Sequence, residues 1–347
     1  MDVLQLTSRG RESYDVQLTY SILWECALGI AAITNTRLLD TLDRPREYWA
    51  QIKNSISGEL SEELAFVEEK NTWKGLLQIL HQQEFSSLDA FQQYIQALPD
   101  AELKFICLPF AGKKEQVYRE QAAQGEEKAI KELMRITDNN PFFPAYIEFI
   151  STCEAKSLKK HLIKVMDSWY QEVVKANQQE IEAVLEKDYQ SKKAMYQKVS
   201  SEELVQWATG GVTYPPEPSV HTVLLIPQYI YRPWNIEADI EGTKVFYYPV
   251  SNESVSPSDR YMPDYFLVQK YKALGDEVRL KMVKLLSEHP RTLQDMTERL
   301  DIGKSTIHHH LKILRAAKIV EIIDSKYCLK KNVFALLAKE FNWYLEK

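Results

Sequence analysis

The stretch that most constrains the fold of this 347-residue chain lies near its C-terminus, where residues 271–331 change apolar period in a fixed order. Leu274, Val278, Met282 and Leu285 fall at i, i+4, i+8 and i+11, one stripe of an amphipathic helix that must end before Pro290. Thr292, with Asp295 three residues on, approximates a capping box, and Leu293, Met296 and Leu300 form the buried stripe of the helix it opens. Asp301-Ile302-Gly303 reads as a tight turn, with glycine easing the reversal. A third helix over about Lys304 to Ala317 hides Ile307, Leu311 and Leu314. Ile319 to Ile323, a turn at Asp324-Ser325, and Lys326 to Leu329 then give a small hairpin. Helices followed by a hairpin in this order predict a winged helix-turn-helix.

On its outward side the third helix carries Lys304, Ser305, Thr306, His308, His309, Lys312 and Arg315, all hydrogen-bond donors and none acidic. A duplex offers anionic phosphates and base-edge acceptors, so this face predicts double-stranded DNA as a partner. Lys304, Ser305 and Thr306 open the helix, where backbone amides and dipole already favour a phosphate. His308 and His309 are read as DNA contacts in preference to solvated side chains, whereas Arg315 could instead form a salt bridge. His310 lies three after Ile307 and four before Leu314 and is read as a packed histidine. Successive helical residues point about 100° apart, so the three histidines cannot converge on one ion. Lys326, near the hairpin tip, is the remaining DNA-binding candidate, and its minor-groove role stays open.

Charge follows the same division. Residues 264–347 hold 16 basic and 11 acidic side chains, a net +5, against 27 and 38 in residues 1–263, a net −11. A basic segment on an acidic body is expected where only that segment meets a polyanion.

These elements resemble the ArsR-type family of winged-helix repressors. The resemblance is carried by Ala273-Leu274-Gly275-Asp276 with Arg279-Leu280, and by Ser305 to Arg315 with Lys318-Ile319-Val320, within about a quarter of the chain. It implies a homodimer, operator binding through the third helix, and a signal that alters DNA affinity. Metal-sensing members carry paired cysteines at the start of the second helix, or acidic and His ligands on the terminal helix. Here the second helix begins Thr292-Leu293-Gln294-Asp295-Met296 and the terminal helix, Asn332 to Lys347, has no His. A non-metal effector acting through residues 1–262 is therefore expected. The terminal helix places Phe334, Leu337, Phe341 and Tyr344 at i, i+3, i+7 and i+10, a bulky stripe read as a dimerisation surface in preference to packing within the chain.

The rest of the chain is less specific. Val3, Leu4 and Leu6, a break at Arg9-Gly10-Arg11, then Tyr14, Val16 and Leu18 read as a short hairpin. From about Ile22 to Val205 the period is helical, as in Leu60, Leu64 and Val67, or Leu158, Leu162, Val165 and Trp169. Gly210-Gly211 and Tyr214 to Pro218 end it, and Val220 to Tyr231 and Thr243 to Val250 read as strands around a turn at Glu241-Gly242. Ser251 to Pro257 reads as a loop, and the domain boundary is placed near Pro263, dividing the chain into 1–262 and 263–347. The expected fold is mainly α with small antiparallel β elements (α+β): a large helical N-terminal domain with a short sheet, then the winged helix.

The aromatic-rich residues 205–271, with Trp207, Tyr229 and Phe246-Tyr247-Tyr248 among them, are read as core before ligand pocket. Glu62, Glu63, Glu68 and Glu69 read as a solvated helical face. No run of about 18 apolar residues occurs, the four cysteines are scattered singly, and Met1-Asp2-Val3 opens no leader, which together predict a cytoplasmic protein without membrane contact. His81-Gln82-Gln83-Glu84 does not match HExxH, and GxSxG, GxxxxGK[ST] and GxGxxG are missing, so neither enzymatic activity nor a cofactor is expected. The expected function is a sequence-specific DNA-binding transcription regulator, a repressor, acting as a homodimer on a pseudo-palindromic operator. The alternative is a winged-helix protein-interaction module or scaffold.

Overall fold

Ser21 opens the helical region by accepting a hydrogen bond from the Leu23 amide at 3.2 Å, which caps α1 (Ile22–Thr34). Residues Leu23 through Thr34 are all buried, so α1 is a central helix and not an amphipathic surface one. A computed structural model describes residues 13–256, 259, 261–330 and 332–346. Within them α1 is followed by α2 (Arg46–Ser55), α3 (Gly58–Lys70), α4 (Trp73–Leu80), α5 (Leu88–Ala97), α6 (Asp100–Cys107), α7 (Gln116–Ala123), α8 (Glu127–Ile136), α9 (Phe143–Thr152), α10 (Ala155–Trp169) and α11 (Gln178–Tyr196). The predicted stripes of α3 and α10 are buried as their spacing requires, and α3, α4 and α10 pack on α1.

The chain divides into two compact units, one formed by residues 17–189 and 219–249, the other by residues 13–16, 190–218 and 250–347. The boundary expected at Pro263 thus differs from the division in the structure, because residues 190–218 and 250–262 group with the C-terminal helices.

The larger sheet has the order β1-β2-β4-β3, with β1 Asp15–Leu18, β2 Thr222–Gln228, β3 Ile236–Ile240 and β4 Thr243–Pro249. The two expected strands are β2 and β4, but they pair in parallel, Leu225 opposite Phe246. The Glu241-Gly242 turn joins β4 to β3, whose alternation Ile236-Glu237-Ala238-Asp239-Ile240 the sequence reading passed over. The sheet is therefore mixed, not purely antiparallel. Its central strands are buried, Phe246, Tyr247 and Tyr248 at 0% exposure, as the core reading of these aromatics expects. Of the N-terminal hairpin, residues 1–12 lie outside the described residues, and the second half is β1, whose sheet neighbour is β2. The loop over Ser251 to Pro257 contains a short helix, α13 (Asn252–Val255).

Glu63 is not simply solvated. It accepts from His161 Nδ1 at 2.5 Å, and His161 Nε2 pairs with Thr72 Oγ1 at 2.7 Å. Burial holds the His161 pKa below its usual value despite the neighbouring carboxylate.

Candidate nucleic-acid interface

The C-terminal unit is built on α12 (Ser201–Ala208), α14 (Tyr265–Leu274), α15 (Glu277–Glu288), α16 (Leu293–Leu300), α17 (Lys304–Ala316), the β5–β6 hairpin (Val320–Ile323, Lys326–Leu329) and α18 (Val333–Leu345). The single helix expected through Leu274 and Val278 is two, because Asp276 takes an extended backbone and its carboxylate accepts from the Arg279 amide at 2.9 Å. That amide bond holds the Asp276 carboxyl below its usual range. Arg279 closes the preceding helix, donating from Nε to the Ala273 carbonyl at 2.5 Å and from Nη2 to the Lys272 carbonyl at 3.1 Å. Asp276 and Arg279, two of the residues that carry the family resemblance, thus cap adjoining helices.

Thr292 and Asp295 form the expected capping box, at 3.1 and 3.2 Å. In the turn that follows, the left-handed residue is Asp301 (φ 52°, ψ 45°) and not glycine. Gly303 (φ −55°) instead occupies the N-cap of α17, where it supplies no side chain to the first amides. Ile307, Leu311 and Leu314 are buried against Met282, Leu286 and Met296 in one apolar cluster. Lys304, Ser305, Thr306, His308, His309, Lys312 and Arg315 are all exposed, and so is Lys326. His310 is partly buried beside Arg279, Nη1 to Nδ1 at 3.4 Å. The hairpin turns on Asp324 (φ 48°) and Ser325 (φ 63°), the two positive φ values of a type I′ turn. Arg291 exchanges backbone hydrogen bonds with Tyr327 at 3.0 and 2.7 Å, tying the entrance of α16 to the hairpin.

The terminal helix does not present its aromatic stripe as one surface. Leu337 is 6% exposed, buried on the side of α18 that also holds Val333, Leu336 and Glu340. Phe334 (41%) and Phe341 (39%) are exposed, with Leu345 (64%) beyond them. Tyr344 is partly covered and donates to the Tyr261 carbonyl at 2.8 Å. At about 100° per residue, Phe334 and Phe341 share one edge of the stripe and Leu337 and Tyr344 the other, and it is the second edge that turned inward.

Residues 203–211, outside the predicted winged helix, support its terminal helix and hairpin. Lys330 donates to the Gly211 carbonyl at 2.6 Å, Lys339 pairs with Glu203 at 2.5 Å, and Trp207 meets Trp343 edge to face. Gly210 (φ +68°) lies so close to Phe266 that a Cβ would stand 2.2 Å from its ring. The signal was present in the Gly210-Gly211 pair.

This arrangement defines a winged helix-turn-helix with a donor-rich, acid-free helix presented to solvent. Residues 276–321 match the family described as bacterial regulatory protein, arsR family. The transcriptional repressor SdpR of Bacillus subtilis is 38% identical over 50 residues, 14% of this chain and 56% of that protein. The uncharacterized HTH-type transcriptional regulator MJ0229 of Methanocaldococcus jannaschii is 24% identical over 83 residues, 23% of this chain and 83% of that protein. The chain thus spans just over half the length of the Bacillus relative. No solved structure matches the chain. Among the described residues no group of three or more His, Cys, Asp or Glu is placed to hold a metal ion, and no helix is long and apolar enough to cross a membrane.

Proposed function

We propose that the protein is a DNA-binding transcription regulator that acts as a homodimer on a pseudo-palindromic operator and represses from it. In this reading α17 lies in the major groove, with Lys304, Ser305 and Thr306 at phosphates and His308, His309, Lys312 and Arg315 along the groove. The observation that carries it is the exposure of all seven donors on the face opposite Ile307, Leu311 and Leu314. Two such helices would enter successive major grooves about 34 Å apart. Phe334, Phe341 and Leu345 supply the exposed apolar surface for the second copy. Repression is extended from the name of the Bacillus relative, and the 17–189/219–249 unit is assigned the sensing of a non-metal signal.

Fluorescence anisotropy of the full chain on labelled duplex tests the reading. Lys304→Ala and His309→Ala weaken binding while circular dichroism is unchanged. Full affinity in both variants removes α17 from the interface, and no affinity for any duplex at low salt leaves the winged helix as a protein-interaction module.

A further inference from the structure

A 260 Å³ cavity lies within the unit of residues 17–189 and 219–249, walled by α1, α11 and the segments that follow α10 and β2. Two of its lining residues carry buried donors without a hydrogen-bond partner, Arg44 Nε and Trp169 Nε1. Trp169 is 1% exposed, so its indole N–H has no access to bulk water. The Arg44 guanidinium lies over the rings of both Tyr48 and Tyr229, at 4.8 and 4.4 Å to their centroids, which holds it at the cavity. Glu25, 4% exposed, also lines the space and accepts from the Tyr229 amide at 2.9 Å.

Two features of the backbone maintain this arrangement. Gly29 faces the indole so closely that a Cβ would stand 2.8 Å from Trp169 Cζ2, so only glycine lets the ring rest on α1. The helix leaving Trp169 widens into a π turn over Tyr170–Val174, which puts Val173 and Val174 into the wall. Such turns interrupt the regular ladder and recur where a helix shapes a site.

We infer that this cavity binds a small monocarboxylate with an apolar tail, its carboxylate accepting from Arg44 Nε and Trp169 Nε1, and that this ligand is the regulator's effector. The effector role rests on the regulator reading proposed above. Val173, Val174, Ile181 and Ile230 supply the apolar remainder of the wall. A phosphate dianion suits the site less well, because Glu25 and Glu180 share the lining. Burial pushes the Glu25 carboxyl up to about 7, so near neutral pH its protonated form is available to donate to a monoanion.

Isothermal titration calorimetry of the full chain with isovalerate, benzoate and inorganic phosphate tests the site, and anisotropy on duplex DNA tests its role. At least one of the two carboxylates binds saturably at one per chain, phosphate does not, and Trp169→Phe and Arg44→Gln each weaken the binding about tenfold or more. The bound carboxylate also shifts the DNA affinity of the parent protein and not of Arg44→Gln. Absence of saturable heat with either carboxylate, phosphate binding as tightly, or affinity unchanged in both variants overturns the site. Carboxylate binding that leaves DNA affinity unmoved overturns the effector role. DNA binding by a chain that takes up no carboxylate sinks this inference alone, whereas carboxylate uptake without DNA binding sinks the regulator reading.

Discussion

Lys270 on α14 places Nζ 2.7 and 2.8 Å from the two carboxylate oxygens of Glu340 on α18, and both side chains are buried. Burial pushes the Glu340 carboxyl up while Lys270 pulls it back. Neither ion has enough water to replace a lost partner, so Glu340→Leu or Lys270→Met alone should destabilise the C-terminal unit by about 3–5 kcal/mol. The double variant should recover most of that loss, because no uncompensated charge is left inside. Urea denaturation of the four proteins checks this, and single variants as stable as the parent would show that the pair contributes nothing.

The exposed α17 face has an electrostatic signature. Each phosphate contact releases condensed counterions, so operator affinity should fall steeply with salt. Lys304→Ala should weaken binding on all sequences alike and reduce the salt slope by about 1. Ser305→Ala removes a donor without a charge and should leave the slope unchanged. Equal slopes for the parent and Lys304→Ala would take this lysine off the phosphate backbone.

Phe334 and Phe341 remain exposed on α18, and Phe341 packs edge-on against Tyr271, itself 43% exposed. A charge at either position should convert the proposed dimer to monomer while the helix persists. Sedimentation equilibrium of Phe334→Glu and Phe341→Glu reads this directly. Leu337→Ala should instead lower stability by about 2–5 kcal/mol, because it empties core volume. A parent protein that sediments as a monomer would remove the dimer.

Gly210 cannot be replaced without displacing Phe266. Gly210→Ala adds a Cβ 2.2 Å from the ring at φ +68°, so steric and backbone strain act together. The expected loss exceeds about 1 kcal/mol, against the few tenths that a tolerated glycine replacement gains. A thermal melt unchanged from the parent would contradict the close approach.

The winged helix was legible because its constraints are local. Capping residues, stripe spacing and the Asp324-Ser325 turn each act within a few positions, and the Thr292–Asp295 box formed as written. What escaped was non-local. The parallel pairing of β2 with β4 depends on where β3 goes, and nothing in either strand encodes it. Leu337 and Phe341 share a stripe, yet only the neighbouring helices decide which of them is covered. Glu25 did leave a mark, as the lone charge between Ile22 and Ile33, but its partners are Arg44, Tyr229 and Ile230, far along the chain.

That lone charge gives a prediction with a definite sign. Burial raises the Glu25 carboxyl to about 7, although the Tyr229 and Ile230 amides and Arg44 act the other way. The folded chain therefore holds this proton more tightly than the unfolded chain, whose carboxyl titrates near 4.5. The stabilisation is fully present below about pH 4.5 and is lost as pH rises through about 7, a swing of roughly 3 kcal/mol. His161 acts oppositely, since burial depresses its pKa and its contribution is lost on acidification. The parent's pH profile mixes both, so the difference from Glu25→Gln is the quantity to measure. Glutamine keeps one acceptor oxygen for the backbone amides and cannot ionise. The variant should gain stability relative to the parent between pH 5 and pH 8, followed by denaturant titration at each pH. A constant difference across that range would mean that Glu25 stays charged in the fold.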